Sequence, residues 1–367
     1  MKILTINNRR RLLFGLILTG LLQLAAGPLA AAESHAVVFM YHRFGETKYP
    51  STNVTLAQFE SQLDYLAENG FRIWPLERIV DHLRENRPIP DRTAAITVDD
   101  AYRSVYEQAY PRLKARGWPF TVFVATDPVD QGIPGYMTWQ QMREMQQHGA
   151  RFANHSASHD HLVVRLPDEE EREWRARVAA DISRAEQRLR EELGSETGAQ
   201  PMLFAYPYGE FDLPLMALLE GLGYIAFGQH SGPLGGHTPP QGLPRYPVSE
   251  AYADPDDFAL KAATLPLPVV QAEPQSPWVG EVNPPRLKLT LEAGAYRTAE
   301  ITCYAPGQGS LPITRLTEGP LRIAIDGKQP LPAGRSRYNC TAPAAEENRW
   351  YWYSHPWLIP PLGEEEA

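Results

Sequence analysis

Two cysteines, Cys303 and Cys340, are all that a chain of 367 residues contains. Both stand in strand-like surroundings in the C-terminal part, and neither reads as a nucleophile. Positive charge is also short: 35 Lys and Arg face 44 Asp and Glu, a formal net charge of -9. That balance argues against nucleic acid or an anionic membrane as the main partner. Beyond the N-terminus there is no run apolar enough to span a bilayer, and no internal repeat. With 43% hydrophobic and 22% charged residues the chain is globular, and long enough for one large domain and a smaller one.

The single long apolar run, Leu12 to Ala26, follows Lys2, Arg9, Arg10 and Arg11 and is succeeded by Ala30-Ala31-Ala32. A basic start, a short apolar core and small residues at the end describe a secretory signal peptide, 1–32, cleaved after Ala32. An uncleaved anchor is the weaker reading, because Gly and Gln interrupt the run. The Arg9-Arg10 pair leaves a twin-arginine route open. The expectation is export to the periplasm or the medium, with no membrane span after processing. In an oxidising compartment Cys303 and Cys340 are the expected disulfide, closing a long loop.

From His35 to Pro266 short apolar runs alternate with helical stretches. The runs are 36–41, 71–76, 94–99, 120–126, 151–155, 202–208 and 224–229. Thr55 heads a stretch in which Leu56, Phe59, Leu63 and Leu66 share one helical face, and Ile79, Val80 and Leu83 mark the next. Residues 168–193 are rich in Arg–Glu pairs, the pattern of a solvated helix face. Seven or eight such units predict an α/β fold, a closed or nearly closed β/α barrel with parallel strands. The Pro-rich stretch 267–285 reads as a linker. After it the periodicity changes to two, in 286–292, 299–304, 321–326 and 349–355, which predicts a small all-β sandwich over 286–367.

Four of the barrel strands end in polar residues: Tyr41-His42-Arg43, Asp99-Asp100, Asn154 to His159, and Tyr206-Pro207-Tyr208-Gly209. In a barrel of parallel strands these ends converge on one rim. Two imidazoles and one carboxylate can bind Zn²⁺ and leave a position open; three histidines in a polar loop can equally be surface residues. The adjacent aspartates fit the metal reading. One can bind the cation while the other takes a proton from water, and the cation offsets their mutual repulsion.

These residues resemble the polysaccharide deacetylases with the NodB homology domain, carbohydrate esterase family four. Thr97-Val98-Asp99-Asp100-Ala101 is similar to that family's T-F-D-D-G motif. His155-Ser156-Ala157-Ser158-His159 matches H-S/T-x-x-H, and Ala205-Tyr206-Pro207-Tyr208 matches R-x-P-Y in part. The resemblance covers roughly 36–266, within an expected catalytic domain of 33–266. It implies a distorted β/α barrel and hydrolysis of N-acetyl groups on a polymer of N-acetylhexosamine. It also implies Asp99 as general base, one divalent metal (Zn²⁺) on Asp100, His155 and His159, and the Tyr208 N–H as an oxyanion donor. Poly-N-acetylglucosamine, chitin oligomers and peptidoglycan are the substrates it suggests.

Three departures accompany the resemblance. Ala101 replaces a glycine, and Ala205 replaces the arginine that orients the base, with Arg43 or Arg245 as substitutes. The motif carrying the general-acid histidine has no clear copy. His42, His230 and His237 are the candidates, and the Met40-Tyr41-His42 opening resembles exported poly-N-acetylglucosamine deacetylases, which puts His42 first. Competing readings are an O-acetyl esterase on the same site, a non-haem iron oxygenase using two His and one carboxylate, and a lapsed deacetylase that only binds glycan. The aromatic run Trp350, Tyr351, Trp352, Tyr353 with Trp357 reads mainly as core or domain interface, with sugar stacking as the minority alternative.

Overall fold

The computed structural model describes residues 34–194, 201–235, 237–316, 320–345 and 348–362. The expected signal peptide lies outside the described residues. Within the first part, apolar runs become strands and the stretches between them become helices. β1 (Val37–Tyr41) leads into a short parallel pair, β2 (Arg43–Phe44) and β3 (Asn53–Val54), and then α1 (Leu56–Glu68). Thr55 and Gln58 form a reciprocal cap at the start of α1, and Phe59, Leu63 and Leu66 are buried as the spacing predicts. The alternation continues through β4 (Arg72–Ile73), α2 (Leu76–Arg84), β5 (Thr93–Asp99), α3 (Tyr110–Ala115) and β6 (Phe120–Val124). It runs on through α4 (Thr126–Asp130), α5 (Trp139–Gln146), β7 (Ala150–Asn154), α6 (Glu171–Leu193) and β8 (Met202–Ala205). α7 (Leu213–Gly221), β9 (Tyr224–Phe227), β10 (Tyr246–Pro247) and α8 (Pro255–Ala262) complete it.

These strands form one parallel sheet in the order β10-β1-β5-β6-β7-β8-β9, with β4 beside the start of β5. β1, β5 and β6 are buried at every position, as parallel strands covered on both faces must be. The outer strands β9 and β10 do not pair with each other. The chain from Gly228 to Arg245 fills the gap through single backbone bonds: Gly228 donates to the Leu243 carbonyl, Leu243 to Ala226, and Arg245 to His230. The sheet is thus a distorted, incomplete barrel. All its strands point the same way, so their C-terminal ends share one rim.

The C-terminal part is all β: β11 (Leu265–Pro266), β12 (Val269–Glu273), β13 (Arg286–Leu291), β14 (Thr302–Ala305), β15 (Gly309–Ser310), β16 (Ile313–Leu316), β17 (Leu321–Asp326), β18 (Gly334–Pro343) and β19 (Trp350–Ile359). One sheet runs β11-β19-β18-β14-β15 and the other β12-β13-β17-β16. Leu287, Leu289, Leu291, Ile323, Ile325, Tyr338 and Trp357 lie in the core that the two sheets share. The expected linker is corrected here. Within 267–285, Val269–Glu273 is a strand hydrogen-bonded to β13, and the β-branched Val269-Val270 pair outweighs the surrounding prolines. No free tether separates the two parts, since β11 pairs with β19 directly behind α8.

The aromatic run of β19 divides by side. Tyr351, Tyr353 and Trp357 pack into the sandwich core, while Trp352 packs against the barrel core and meets Tyr246 edge-on at 5.7 Å. Only Trp350 is left exposed. Among the described residues no helix is long and apolar enough to cross a membrane.

Cys303 and Cys340 are directly opposite in the β14–β18 ladder and form a disulfide. Both are fully buried. The sequence separation of 37 corresponds to about 3–4 kcal/mol of stabilisation through the unfolded chain. A Cys303→Ala/Cys340→Ala variant should therefore unfold at clearly lower urea concentration than the oxidised protein. Unchanged midpoints would show that the crosslink contributes nothing.

Candidate active site

The rim is built from backbone held in unusual conformations. Nine non-glycine residues among those described have positive φ, and five of them are Asp100, Ala101, Ser156, His159 and Tyr208. Such backbone costs of order 1 kcal/mol or more per residue and persists only where its surroundings enforce it. Ala101, which stands where the resembled motif has glycine, adopts φ 58 and is completely buried. Strain is gathered at three strand ends, β5, β7 and β8.

Asp99 is the last residue of β5 and has no exposed surface. Its two oxygens each accept a hydrogen bond of 2.7 Å from Arg245, one from Nη1 and one from Nη2. Arg245 is equally buried, and its Nε donates to the Gly228 carbonyl at 3.0 Å. Burial pushes the Asp99 carboxyl up, but the charges of Arg245, His155 and His42 outweigh it and hold the group below its ordinary value. Of the two arginines considered as substitutes for the missing one, Arg245 meets Asp99. Arg43 instead pairs with Glu46 at 2.9 Å and lies over the Tyr102 ring.

Asp100 turns the other way, toward His155 and His159. Its Oδ1 lies 3.2 Å from His155 Nε2 and 3.1 Å from His159 Nε2. Ligand atoms of the three residues all fall within 4.8 Å of one another. His155 Nδ1 faces the Ala205 carbonyl at 2.7 Å, which puts its proton there and leaves the Nε2 lone pair for the site. Asp100 Oδ1 and His155 Nε2 are buried with no hydrogen-bond partner. Orphaned acceptors on one carboxylate and one imidazole, with the His159 imidazole beside them, fit a divalent cation of the zinc type. The Asp100 carboxyl, raised by burial, is brought well below the usual range by His159 and His155.

Supporting groups fix this loop. Asn154 Oδ1 accepts from the Ser156 N–H at 2.9 Å, and Ser156 Oγ accepts from the His159 N–H at 3.0 Å. Asp181, on α6, accepts from the Ala157 and Ser158 N–H groups at 3.0 and 3.2 Å. The charged stretch read as a solvated face therefore also carries inward acids, Asp181 here and Glu186, which accepts from the Tyr224 hydroxyl at 3.0 Å. Its periodicity as part of 168–193 gave no sign of that.

His42 follows β1 and lies within the field of both aspartates. Burial lowers its pKa, and Asp100 and Asp99 pull against that. His230 and His237 are elsewhere. His230 packs on Phe211, and burial together with His355 brings its pKa down to about 3, with neither aspartate acting on it. His237 is exposed and pairs with Glu292 at 3.3 Å. Tyr208 lies in a tight turn after β8, its ring stacked on His161 at 4.0 Å and edge-on to His159 at 4.6 Å. His161 itself is tied to Glu210 at 2.7 Å and stands outside the metal-type cluster.

Known proteins are similar to this chain in sequence and in fold. Residues 86–227 match the family model described as polysaccharide deacetylase. YxkH of Bacillus subtilis (strain 168) is 27% identical over 188 residues, 51% of this chain and 61% of that protein. The poly-beta-1,6-N-acetyl-D-glucosamine N-deacetylase of Escherichia coli (strain K12) is 25% identical over 209 residues, 48% of this chain and 30% of the relative. The chain thus spans less than two thirds of either curated relative. The structure of IcaB from Ammonifex degensii is 26% identical with a TM-score of 0.53, covering 63% of this chain and 99% of that one. Over residues 86–227 the chain is thus similar in sequence to polysaccharide deacetylases, and its incomplete parallel barrel is similar in fold to their NodB-type domain.

Removing Arg245 should be costly. Arg245→Ala leaves the Asp99 carboxylate buried and unpaired, a loss of about 3–5 kcal/mol. The double variant Arg245→Met/Asp99→Asn should recover part of it. Urea unfolding of the three proteins checks both statements. Asp181→Ala should weaken zinc binding by about tenfold, the lower end for a lost supporting group, as read by competition with a chelating dye.

Proposed function

We propose that this protein is an exported, metal-dependent N-deacetylase acting on a glycan rich in N-acetylglucosamine, with catalysis in residues 33–266. The observation that carries the reading is the division of labour between the adjacent aspartates. Asp99 is locked to an arginine, and Asp100 joins two imidazoles in a cluster with orphaned acceptors. The relative named for poly-beta-1,6-N-acetyl-D-glucosamine supports that choice of substrate.

Asp100, His155 and His159 would hold the cation. When bound, zinc would polarise the acetyl carbonyl and acidify the attacking water. Asp99, kept ionised and oriented by Arg245, takes a proton from that water as its oxygen attacks the carbonyl carbon. The Tyr208 N–H donates to the oxygen that gains negative charge. The C–N bond then breaks, the amine leaves after taking up a proton, and acetate and a free amino sugar are released. His42 is the proposed donor of that proton. Burial lowers its pKa, so it begins neutral and must first gain the proton that Asp99 takes from water before it passes one to the amine.

Acetate release should be measured on poly-N-acetylglucosamine, chitin oligomers and peptidoglycan, with and without a chelator. The expected result is zinc-restored release from the first of these. Asp99→Asn should lower kcat by about 10²–10⁴-fold, the range for a lost general base, while binding one equivalent of zinc as the wild type does. Full activity in that variant would remove Asp99 from the mechanism. Zinc binding without acetate release from any of the glycans would leave a glycan-binding protein.

A further inference from the structure

A side chain of the C-terminal sandwich reaches the active-site rim. Arg335, at the start of β18, donates from Nη1 to the carbonyl of Tyr208 and, at 3.3 Å, to Gln229 Oε1. Its guanidinium carbon is 5.9 Å from the centre of the Tyr208 ring. One arginine from outside the barrel therefore ties together the loop after β8 and the loop after β9.

The turn it touches is one that needs holding. Tyr208 has φ 58 and ψ 3, and Gly209 follows at φ 70. A Cβ on Gly209 would come within 2.7 Å of the Gln229 backbone nitrogen, so the two loops are in direct contact there. Within the turn, the Gly209 N–H donates to the Tyr206 carbonyl at 2.8 Å. An outside donor on the Tyr208 carbonyl constrains ψ of that residue and thereby the plane of the peptides around it. The Tyr208 ring in turn packs against His159.

The sandwich is placed to do this rigidly. Leu358, the register partner of Arg335, packs into the barrel cluster with Tyr206 and Phe211, and Trp352 packs beside Tyr246. We infer that Arg335 is a positioning residue of the deacetylase site, through which the β-sandwich fixes the strained Tyr208 turn in its working geometry. The inference rests on the proposed deacetylation, in which the Tyr208 N–H supports the oxyanion. It assigns the second layer a part in turnover and not only in stability.

The test uses the full mature chain with Arg335→Ala and Arg335→Lys. Arg335 is exposed, so both variants should fold with melting temperatures close to wild type and one bound zinc. Positioning predicts that Arg335→Ala lowers kcat on acetylated glycan by about tenfold, less than the loss of an oxyanion donor itself. KM should stay within about twofold and Arg335→Lys should restore part of the loss, since positioning acts on the transition state. Amide deuterium exchange in the peptide spanning 206–211 should rise in Arg335→Ala, while 93–99 is unchanged. A change in KM alone would make Arg335 a substrate contact and overturn the inference, as would unchanged kcat and exchange. If the wild type releases no acetate, the proposed function fails, and the exchange measurement still decides whether Arg335 holds the turn.

Discussion

Asp99 and Asp100 are successive carboxylates at the end of a buried strand, and the bidentate bond from Arg245 to Asp99 lets the first of them keep its charge there. Without a cation on each, desolvation and mutual repulsion would drive one to protonate. Arg245 serves Asp99, while Asp100 faces His155 and His159 in a cluster fit to hold a divalent cation. The geometry of the sheet makes this division feasible. Arg245 immediately precedes β10, so the strand that borders β1 also delivers the guanidinium behind β5. The irregular stretch from Gly228 to Arg245 fixes that side chain through the Gly228 carbonyl.

The same rim concentrates backbone strain. Five positive-φ residues lie within three strand ends, and those after β7 and β8 are held by specific neighbours rather than by regular secondary structure. Asn154, Ser156 and Asp181 hold the His155–His159 loop through its N–H groups, and Arg335 with the Gly209–Tyr206 bond holds the Tyr208 turn. Strain of this kind is stable only on a rigid base. The fully buried strands β1, β5 and β6 supply that base, and the docked sandwich closes off one side.

Much of this was legible in the sequence because it follows short-range rules. Apolar runs such as AAITVD and FTVFV mark buried parallel strands, and Thr55 marks the start of α1. The pairing of Cys303 with Cys340 followed from counting cysteines in a chain expected to be exported. The long-range parts were less visible. Arg245 and Arg43 were equivalent candidates, since each follows or precedes an apolar strand, and only the parallel register distinguished them. Asp181 was hidden in a charged helix most of whose other acids face outward. The strand at 269–273 was hidden by prolines that flank it without interrupting its ladder. His42 stood above His230 and His237 by resemblance alone.

What the sequence by itself determined is the repertoire: parallel strands with helices between them, an alternating C-terminal part, two aspartates at a strand end, two histidines four apart and one disulfide. Each depends on residues close together in the chain, where hydrophobic period and residue type act directly. Only the tertiary structure decided which charge faces which. Arg245 lies 146 residues from Asp99, and Arg335 lies 127 from Tyr208. A contact over such distances is set by how the sheet curves and how the second layer docks. No local pattern encodes that, because the same arginine would look identical in sequence if it faced water.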